Sequence, residues 1–535
     1  MDFFADSGWV EIPKGATPEE SVKALVDSGV VTKSTLEDEK PEWKERKKRV
    51  KKVAETKTES GSESVLVQEK QAIYTGAAYD AYKFLERFEE PRYVFYIQNW
   101  WKYDSQNGWR QVLDVEMQHD VADFLVESCY KCDANEVAKI LLAMVHFCRI
   151  PYAEDVFDQT FLLTKTESGV LEVEHSPGWV VCENATFHVP TVAKALFRGE
   201  SVPDESVAPL SSTLFTQGRI PCKLNFDAKC ERWESFIESA CPFDRECLQQ
   251  MFGLSLTFDR SFCVFFIVFG PAGSGKSTCL NILQRLNRGT VSQVSMGRFG
   301  ERFYIYPLSQ NRANIVHDMD SIFEGDGSVS LREAVLKSVA AGESMEVERK
   351  HRHAKREYLR ALCVFGTNQV PRFADKSEAI AQRMKIIQFP NSFRGTEGQV
   401  RNLTDILACD LEGVLIWALK GYGMLLEMDA LAVSESQEAY DLKTEAFKDM
   451  RPEIQFCDEC IVFDDFIGFL PSLEVYKAYA NFCTDRGYCP AGMSKVIPLI
   501  ASYLGVDLKR RRIQGVQVRG LVGVSLAGGT KTYVQ

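Results

Sequence analysis

Apolar residues in the second half of this chain fall into two kinds of run, which alternate along the sequence. Continuous runs such as Cys263–Phe269 and Ala361–Phe365 are typical of parallel strands that are buried on both faces. Helically spaced apolar residues separate these runs, and an apolar helix over Gly413–Met428 ends the series. The pattern predicts an α/β domain with a parallel sheet over residues 241–428.

The N-terminal part of the chain has a different pattern. Residues 1–70 include a basic run at 44–52, which suits either a nucleic-acid contact or a solvated tail, and we expect a flexible segment. Residues 71–240 predict an accessory domain of helices and short strands, with a hairpin turn at Asn107-Gly108. The aromatic residues at 93–109 could stack on bases, but the core of a small sheet is the favoured interpretation.

The C-terminal part, residues 429–535, predicts a third folded region. Helical spacing covers 473–483 and 493–504, and β-prone residues follow at 513–518 and 521–526. Two helices followed by a two-stranded ribbon is the order of a winged helix-turn-helix domain.

Composition narrows the cellular setting of the chain. Its 535 residues carry a formal net charge of −12, so contact with nucleic acid would depend on local basic patches. We find no apolar run long enough for a membrane span and no secretory signal, and we expect a cytoplasmic protein without a membrane partner. The 16 cysteines are then reduced thiols, although a zinc site from Cys457, Cys460, Cys483 and Cys489 is conceivable.

The most informative motif directly follows the apolar run that ends at Phe269. Residues 270–277 read G-x-x-x-x-G-K-S, and a helical pattern follows, as in a phosphate-binding P-loop. In such a loop Lys276 reaches the β- and γ-phosphates, and the Ser277 hydroxyl binds Mg²⁺. The predicted nucleotide-binding residues are Gly270, Pro271, Ala272, Gly273, Ser274, Gly275, Lys276, Ser277 and Thr278.

Polar residues also follow the next apolar strands. Asp318 and Asp320 come at the end of one strand, where carboxylates hold Mg²⁺ and polarise the attacking water. Asn368 follows another strand and could sense the γ-phosphate or the water; a turn asparagine before Pro371 is the alternative. Arg383 ends a predicted helix and could reach the nucleotide of a neighbouring subunit, or it is an ordinary surface arginine.

A charged segment lies between the acidic strand and Asn368. Acidic residues up to Glu348 give way to a basic run that includes Lys350, Arg352 and Lys355. A basic hairpin at this place suits a grip on a phosphate backbone, and a solvated charged turn is the alternative.

Taken in this order, the motifs resemble those of superfamily 3 helicases, particularly the phage, plasmid and poxvirus primase-helicases. Residues 270–277 match Walker A, and 314–320 match Walker B with Asp318 where that family usually has glutamate. Residues 342–350 resemble the basic hairpin motif with its DNA-contacting lysine at Lys350, and 367–373 resemble the sensor motif. Arg383 falls at the arginine finger, and the likeness extends over roughly residues 90–530.

This resemblance implies an AAA+-like P-loop ATPase that works as a replicative DNA helicase. Lys276, Asp318, Asp320, Asn368 and Arg383 would be catalytic, with ATP and Mg²⁺ as cofactors. The resemblance further implies a homo-hexameric ring, 3′→5′ movement, and single-stranded and forked DNA as partners.

Primer synthesis would fall to a separate primase or polymerase, because 1–70 is too short for such a module. The alternatives are a replication initiator or loader that binds duplex origin DNA, and a small-molecule P-loop kinase.

Overall fold

The computed structural model describes residues 74–97, 99–105, 108–128, 130, 132–150, 158, 160–319, 329–350, 352–371, 373, 378–427, 433–449, 451–463, 468–513 and 515–527. Residues 1–70 and Asp320 lie outside this part of the chain. The described residues form two compact units; the first lies within 74–102, 111–150 and 163–173, and the second takes the remainder. The domain boundaries expected at 240 and 428 stay predictions.

The first unit has a small aromatic core. The elements of this part of the chain are α1 (Ala77–Glu86), β1 (Tyr93–Tyr96), β2 (Asn99–Asp104), β3 (Gly108–Val112), α2 (Asp114–Glu127) and α3 (Ala134–Cys148). Residues 103–110 of β2 and β3 are counted with the second unit. The three strands form one sheet in the order β1-β2-β3. Tyr93, Tyr96 and Trp100 are at most 4% exposed, which confirms that these aromatic side chains are core residues and not a base-stacking surface.

Short strands and one helix lead from this region to the central domain. They are β4 (Phe161–Lys165), β5 (Leu171–His175), β6 (Trp179–Val181), β7 (Thr186–His188), α4 (Val189–Arg198), β8 (Val207–Ala208) and β9 (Leu214–Phe215). Strands β6, β7 and β8 form a sheet in that order.

The central domain alternates helices and strands as the apolar pattern predicts. Its elements are α5 (Glu231–Ala240), α6 (Arg245–Ser255), β10 (Phe265–Phe269), α7 (Lys276–Leu286), β11 (Val291–Ser292), α8 (Tyr306–Gln310), β12 (Ala313–Val316), α9 (Val329–Ala340), β13 (Ser344–Arg349), β14 (Arg352–Tyr358), β15 (Leu362–Thr367), α10 (Glu378–Arg383), β16 (Met384–Gln388), α11 (Leu403–Ala408) and α12 (Leu411–Glu427). Five strands form a parallel sheet in the order β11-β12-β15-β10-β16. The predicted α/β architecture with a parallel sheet is confirmed.

Burial on both faces of this sheet explains the continuous apolar run at β10. Phe266 and Val268 lie in the core cluster that includes α5, α6 and α12, and Phe265 and Ile267 lie in the cluster that includes α9. All four side chains are 0% exposed. Because successive side chains of a strand point to opposite faces, a strand covered on both sides must be apolar at every position.

The C-terminal elements surround a separate core, except that the first helix packs Ala439 into the core cluster that includes α9. They are α13 (Gln437–Asp449), α14 (Pro452–Cys460), β17 (Ile461–Phe463), β18 (Phe469–Pro471), α15 (Ser472–Asp485), α16 (Met493–Leu504), β19 (Leu508–Ile513), β20 (Val516–Val522) and β21 (Val524–Leu526). Tyr479, Ile500 and Leu521 are among its buried residues. The two predicted helices are confirmed as α15 and α16.

The predicted strand over 513–518 is wrong in its position. Gly515 has a φ of 83° and lies in a turn, so 513–518 crosses from one strand to the next. The preceding strand is instead β19, which contains the basic residues of 509–512 and pairs antiparallel with β20. Charged residues suit this strand because it lies at the edge of the order β18-β20-β19.

In the part of the chain that the structure describes, the helices are too short or too polar to cross a membrane.

Candidate active site

The parallel sheet brings three of the predicted catalytic residues, Lys276, Asp318 and Asn368, to one cleft. Because β10, β12 and β15 run in the same direction, their carboxyl ends meet at one edge of the sheet. The loop 270–275 follows β10, Asp318 follows β12, and Asn368 follows β15. Strand β15 lies between the other two, so Asn368 lies between the glycine-rich loop and Asp318.

The glycine-rich loop leads directly into the amino end of α7. Gly275 immediately precedes this helix with a φ of 95°, and no side chain caps the helix there. A left-handed residue at this position favours glycine, and the first N–H groups of an uncapped helix are free to bind an anion. The loop and the helix dipole therefore form a suitable phosphate site.

Lys276 is held at the centre of this edge. Its Nζ donates hydrogen bonds to the carbonyl oxygens of Gly270 at 2.5 Å and Pro271 at 2.8 Å, and to Asn368 Oδ1 at 2.9 Å. The residue is 8% exposed. These contacts place the ammonium directly beside the loop. Asn368 is close enough to contact a ligand that the ammonium binds.

The surroundings of Lys276 shift its pKa in two opposite directions. Burial lowers the pKa of Lys276, and the negative charge of Asp318 opposes that shift. A bound triphosphate would add further negative charge, which favours the protonated lysine. Lys276 is thus suited to stabilise charge on a β/γ-phosphate.

The end of β12 approaches β15 unusually closely. A Cβ built on Gly366 would lie 2.4 Å from the carbonyl oxygen of His317, and Met319 N donates to Gly366 O at 2.8 Å. Gly366 therefore allows the segment that carries Asp318 to lie against β15. His317 Nε2 donates to Gln284 Oε1 at 3.1 Å, and burial lowers the pKa of His317, which leaves its ring neutral at pH 7.

The donors available for a metal ion are oxygen atoms. Ser277 and Asp318 are exposed in the same cleft, and hydroxyl, carboxylate and phosphate oxygens are the ligands that Mg²⁺ prefers. Among the described residues, no three His, Cys, Asp or Glu side chains are grouped as a metal site. This holds for Cys457, Cys460, Cys483 and Cys489, so the conceivable zinc site gains no support.

The cleft extends from the phosphate loop to an apolar wall. It has a volume of about 960 Å³, and its lining includes 272–278, His317, Asp318, Thr367 and Asn368. The lining also includes apolar side chains from α5, α11 and the segment that precedes α11: Phe236, Phe393, Val400, Leu403, Ile406 and Leu407. An apolar wall that begins beside a phosphate loop is suited to a nucleobase.

Sequence reasoning missed this apolar wall. Phe236 lies on α5, ahead of the P-loop strand, and the remaining wall residues lie beyond β16. In the structure, Phe393 N donates to Gly273 O at 3.0 Å and connects this wall to the glycine-rich loop. Such a contact joins residues far apart in the chain, and no short motif describes it.

Arg383 lies at the opposite edge of the sheet. It ends α10 as predicted, and the next residue, Met384, pairs with Phe265 at the amino end of β10. Its Nη1 donates to the carbonyl oxygen of Ala379 at 2.9 Å, whereas its buried Nε has no hydrogen-bond partner. The length of β10 separates Arg383 from the loop of its own chain, because five residues of strand span about 17 Å.

The charged segment between β12 and β15 forms a β-hairpin. Strands β13 and β14 pair antiparallel from Ser344↔Tyr358 to Arg349↔Arg352, with a bulge near the tip. Lys350 is exposed in the turn, and Lys355 is exposed on β14. Arg352 begins β14 at the tip. The structure therefore brings Lys350 and Arg352 together, with Lys355 farther down the second strand.

Buried hydrogen bonds fix the hairpin to helix α8. Glu357 is 4% exposed, and its Oε2 accepts hydrogen bonds from Ser309 Oγ at 2.6 Å and Gln310 Nε2 at 3.1 Å. Ser309 and Gln310 belong to α8, which directly precedes β12. The hairpin is thus anchored to the helix next to the strand that carries Asp318.

Comparison with known proteins gives a partial match to one family model and no established activity. The model of a family of unknown function (DUF5906) matches residues 268–383, which run from β10 to Arg383 and are fewer than half of the chain. The chain is also similar to an apo structure of the C-terminal region (305–718) of NrS-1. The identity is 13%, the coverage is 84% of this chain and 100% of that one, and the TM-score is 0.49.

A second structure of the same region, its A form, gives 14% identity over 83% of this chain and 98% of that one. Its TM-score is 0.43. Likeness at this level assigns no role to any residue of this chain.

Proposed function

We propose that this chain is an ATP-driven DNA motor that moves on single-stranded DNA and unwinds forked duplex during replication. One arrangement supports the proposal. The glycine-rich loop, Lys276, Asp318 and Asn368 share a cleft at the carboxyl edge of the sheet, and an anchored basic hairpin is inserted between the strands that lead to Asp318 and Asn368. A nucleotide site and a phosphate-backbone grip are therefore built on adjacent strands.

On this proposal, the glycine-rich loop and the polar side chains beside it each have a role in ATP hydrolysis. The loop N–H groups and Lys276 hold the β- and γ-phosphates, and Ser277 and Asp318 would hold Mg²⁺, which neutralises charge as the γ-phosphoryl group leaves. Asn368, which accepts a hydrogen bond from Lys276, orients the γ-phosphate or the water. Asp320 stays a second candidate for polarising the water, on the sequence alone.

The position of Arg383 supports action between subunits. From the opposite edge of the sheet, Arg383 cannot reach the loop of its own chain. An arginine in that position can instead contact the nucleotide of a neighbouring subunit and stabilise the charge on its phosphates. The resemblance to superfamily 3 helicases adds the hexameric ring and the 3′→5′ direction to the proposal. A separate primase or polymerase stays a further partner on this proposal.

The deciding experiment measures ATP turnover with and without single-stranded DNA, together with unwinding of a forked duplex. We expect DNA to stimulate turnover and the fork to open only with ATP. An unchanged rate with DNA, together with an intact fork, would reject the motor.

The Lys350→Ala variant tests the hairpin as the DNA grip. We expect basal turnover to persist, unwinding to stop, and the salt dependence of single-strand binding to weaken by roughly 0.7 in log–log slope. The exposed Lys223 supplies the matched control, Lys223→Ala, which should behave like the parent. If Lys350→Ala lost basal ATP turnover as fully as unwinding, separate sites for ATP hydrolysis and DNA binding would be contradicted.

A second candidate function is an ATP-switched initiator or loader that binds duplex origin DNA. It is favoured by β19, where Arg510 and Arg519 of β20 lie directly opposite each other and both are exposed. Like charges at such a pair are unfavourable unless an anion lies between them. Strong preference for one duplex sequence, with slow turnover, would favour this function over the motor.

A further inference from the structure

A short segment after β16 lies against the glycine-rich loop. We call residues 392–394 the strap. Ser392 Oγ donates to the carbonyl oxygen of Ala272 at 2.8 Å, and Phe393 N donates to that of Gly273 at 3.0 Å. These bonds engage carbonyl oxygens of the loop, whereas a phosphate is bound by N–H groups. The strap can therefore stay in place when a nucleotide binds.

A turn directly after the strap holds its end. Gly395 has a φ of 77°, and its N–H donates to Gln399 Oε1 at 2.8 Å. Thr396 N donates to the carbonyl oxygen of Phe393 at 3.1 Å. The backbone of Arg394 is thus held between the loop on one side and a closed turn on the other.

Arg394 begins beside the loop and lines the nucleotide cleft. A Cβ built on Gly273 would lie 2.7 Å from the Cβ of Arg394, so the two backbones approach closely only because residue 273 is glycine. The Arg394 side chain is exposed and is part of the cleft lining. A long cationic side chain thus starts next to the loop and opens into the same cleft.

The cations that line the cleft differ in how their charge is balanced. Besides Lys276, the described lining includes Arg232 and Arg394. Asp410 accepts hydrogen bonds from Arg232 Nε at 2.9 Å and from its Nη2, so Arg232 already has a carboxylate partner. Within the described ranges, no hydrogen bond or ion pair holds the Arg394 guanidinium. Arg394 is therefore the arginine of the lining that is available to a ligand.

We propose that Arg394 binds the α- and β-phosphates of the nucleotide in the cleft. This inference rests on the proposed function and adds a charged contact to those of the loop and Lys276. In a P-loop the backbone N–H groups surround the α- and β-phosphates, and the lysine reaches the β- and γ-phosphates. Arg394 starts at Gly273, three residues before Lys276, so it belongs to the α/β end. A guanidinium donates two parallel hydrogen bonds to phosphate oxygens.

The strap also joins the phosphate loop to the apolar wall. The N–H of Phe393 binds the loop, and its side chain is part of the wall. A guanidinium beside such a wall could instead stack on the nucleobase, because arginine also interacts with aromatic faces. The experiment must therefore separate a phosphate contact from a base contact.

The test measures binding of ADP and of pyrophosphate, which has two phosphates and no base, to the full chain with Mg²⁺. Displacement of a fluorescent ADP analogue reports both affinities. In the Arg394→Ala variant both should fall about ten- to a hundred-fold, because charge-assisted hydrogen bonds to the phosphates are lost. The KM for ATP should rise by a similar factor and kcat should fall much less, whereas Lys276→Ala should lower kcat.

Further variants separate charge from packing. Arg394→Met keeps the apolar stem without the charge and should lose as much affinity as Arg394→Ala. Arg394→Lys keeps the charge without the planar fork and should fall between the parent and Arg394→Ala. Arg401→Ala removes another exposed arginine close to the strap and should bind ADP like the parent. If Arg394→Met bound ADP like the parent, the contact would be one of packing, and the proposal would be wrong.

The remaining outcomes distinguish Arg394 from the motor. If ADP weakens in Arg394→Ala but pyrophosphate does not, Arg394 contacts the base and the phosphate contact is wrong. If both affinities stay at the parent's values, or only kcat falls, the proposal is also wrong, and DNA-stimulated turnover in the parent leaves the motor standing. If both affinities fall but DNA never stimulates turnover, the phosphate contact stands and the motor fails. If the parent binds no nucleotide, both proposals fail together.

Discussion

The two working regions of the central domain differ in what holds their residues in place. At the nucleotide cleft the main chain sets the positions, because a helix start and three parallel strand ends meet at one edge. At the hairpin tip, the proposed contact is the exposed side chain of Lys350, and the backbone only presents it. Substitutions at the cleft should therefore affect ATP turnover and folding, whereas those at the hairpin tip should affect mainly DNA binding.

The largest effect is expected at Lys276. The Lys276→Ala variant removes the ammonium that faces the phosphates, and ATP turnover should fall at least about a hundred-fold, with or without DNA. Phosphate release measures this, with Lys223→Ala as the control. If Lys276→Ala instead lost DNA stimulation but kept basal turnover, Lys276 would act in DNA binding, and the contrast between the two regions would be wrong.

A steric change in the main chain at the cleft should come next. Alanine at Gly366 would meet the His317 carbonyl oxygen at 2.4 Å, so Gly366→Ala should lower the free energy of unfolding by about 1–3 kcal/mol and also slow turnover. Urea unfolding measures the first effect. Gly297→Ala, whose Cβ would have an ordinary 3.6 Å contact, should be nearly neutral; equal effects at both glycines would contradict the argument.

A smaller effect is expected where the hairpin joins α8. Glu357→Gln keeps the shape but replaces a charged acceptor of the Ser309 and Gln310 hydrogen bonds, at a cost of about 1 kcal/mol in unfolding free energy. DNA-stimulated turnover should decline while basal turnover persists. Glu346→Gln, at an exposed position of the same hairpin, is the control. Unchanged DNA stimulation in Glu357→Gln would show that the anchor is dispensable.

The smallest effect concerns pH. Burial lowers the pKa of His317 below its ordinary value of 6.5, so the unfolded chain takes up this proton at a higher pH than the folded chain does. Its contribution to stability is complete above pH 6.5 and is lost as pH falls through the lowered pKa. His317→Gln should flatten the decline of unfolding free energy below pH 6.5, by less than about 1.4 kcal/mol per pH unit. An unaltered slope would contradict this.

The sequence predicts the cleft better than its surroundings because regular backbone leaves regular spacing. The apolar run before Gly270 and the polar residues after β12 and β15 follow directly from a buried parallel sheet. The apolar wall could not be predicted in this way, since Phe236 and Phe393 are far apart in the chain and line the same cleft only in the folded protein.

In the C-terminal region, the sequence pattern placed a strand wrongly. The basic residues 509–512 have low strand propensity, so the strand was expected to begin only at Ile513. Pairing with β20 determines their conformation instead, because an edge strand with a solvent-exposed face accepts charged side chains.

The distance between Arg383 and Lys276 has a consequence for enzymology. Two residues at opposite edges of one rigid sheet cannot serve the same phosphate, so a catalytic Arg383 makes a lone chain an incomplete enzyme. Turnover per chain would then depend on concentration, falling on dilution as complexes separate and recovering when the protein is concentrated again. The Arg383→Ala chain would lose this dependence, and small amounts of it would inhibit the parent by entering shared assemblies.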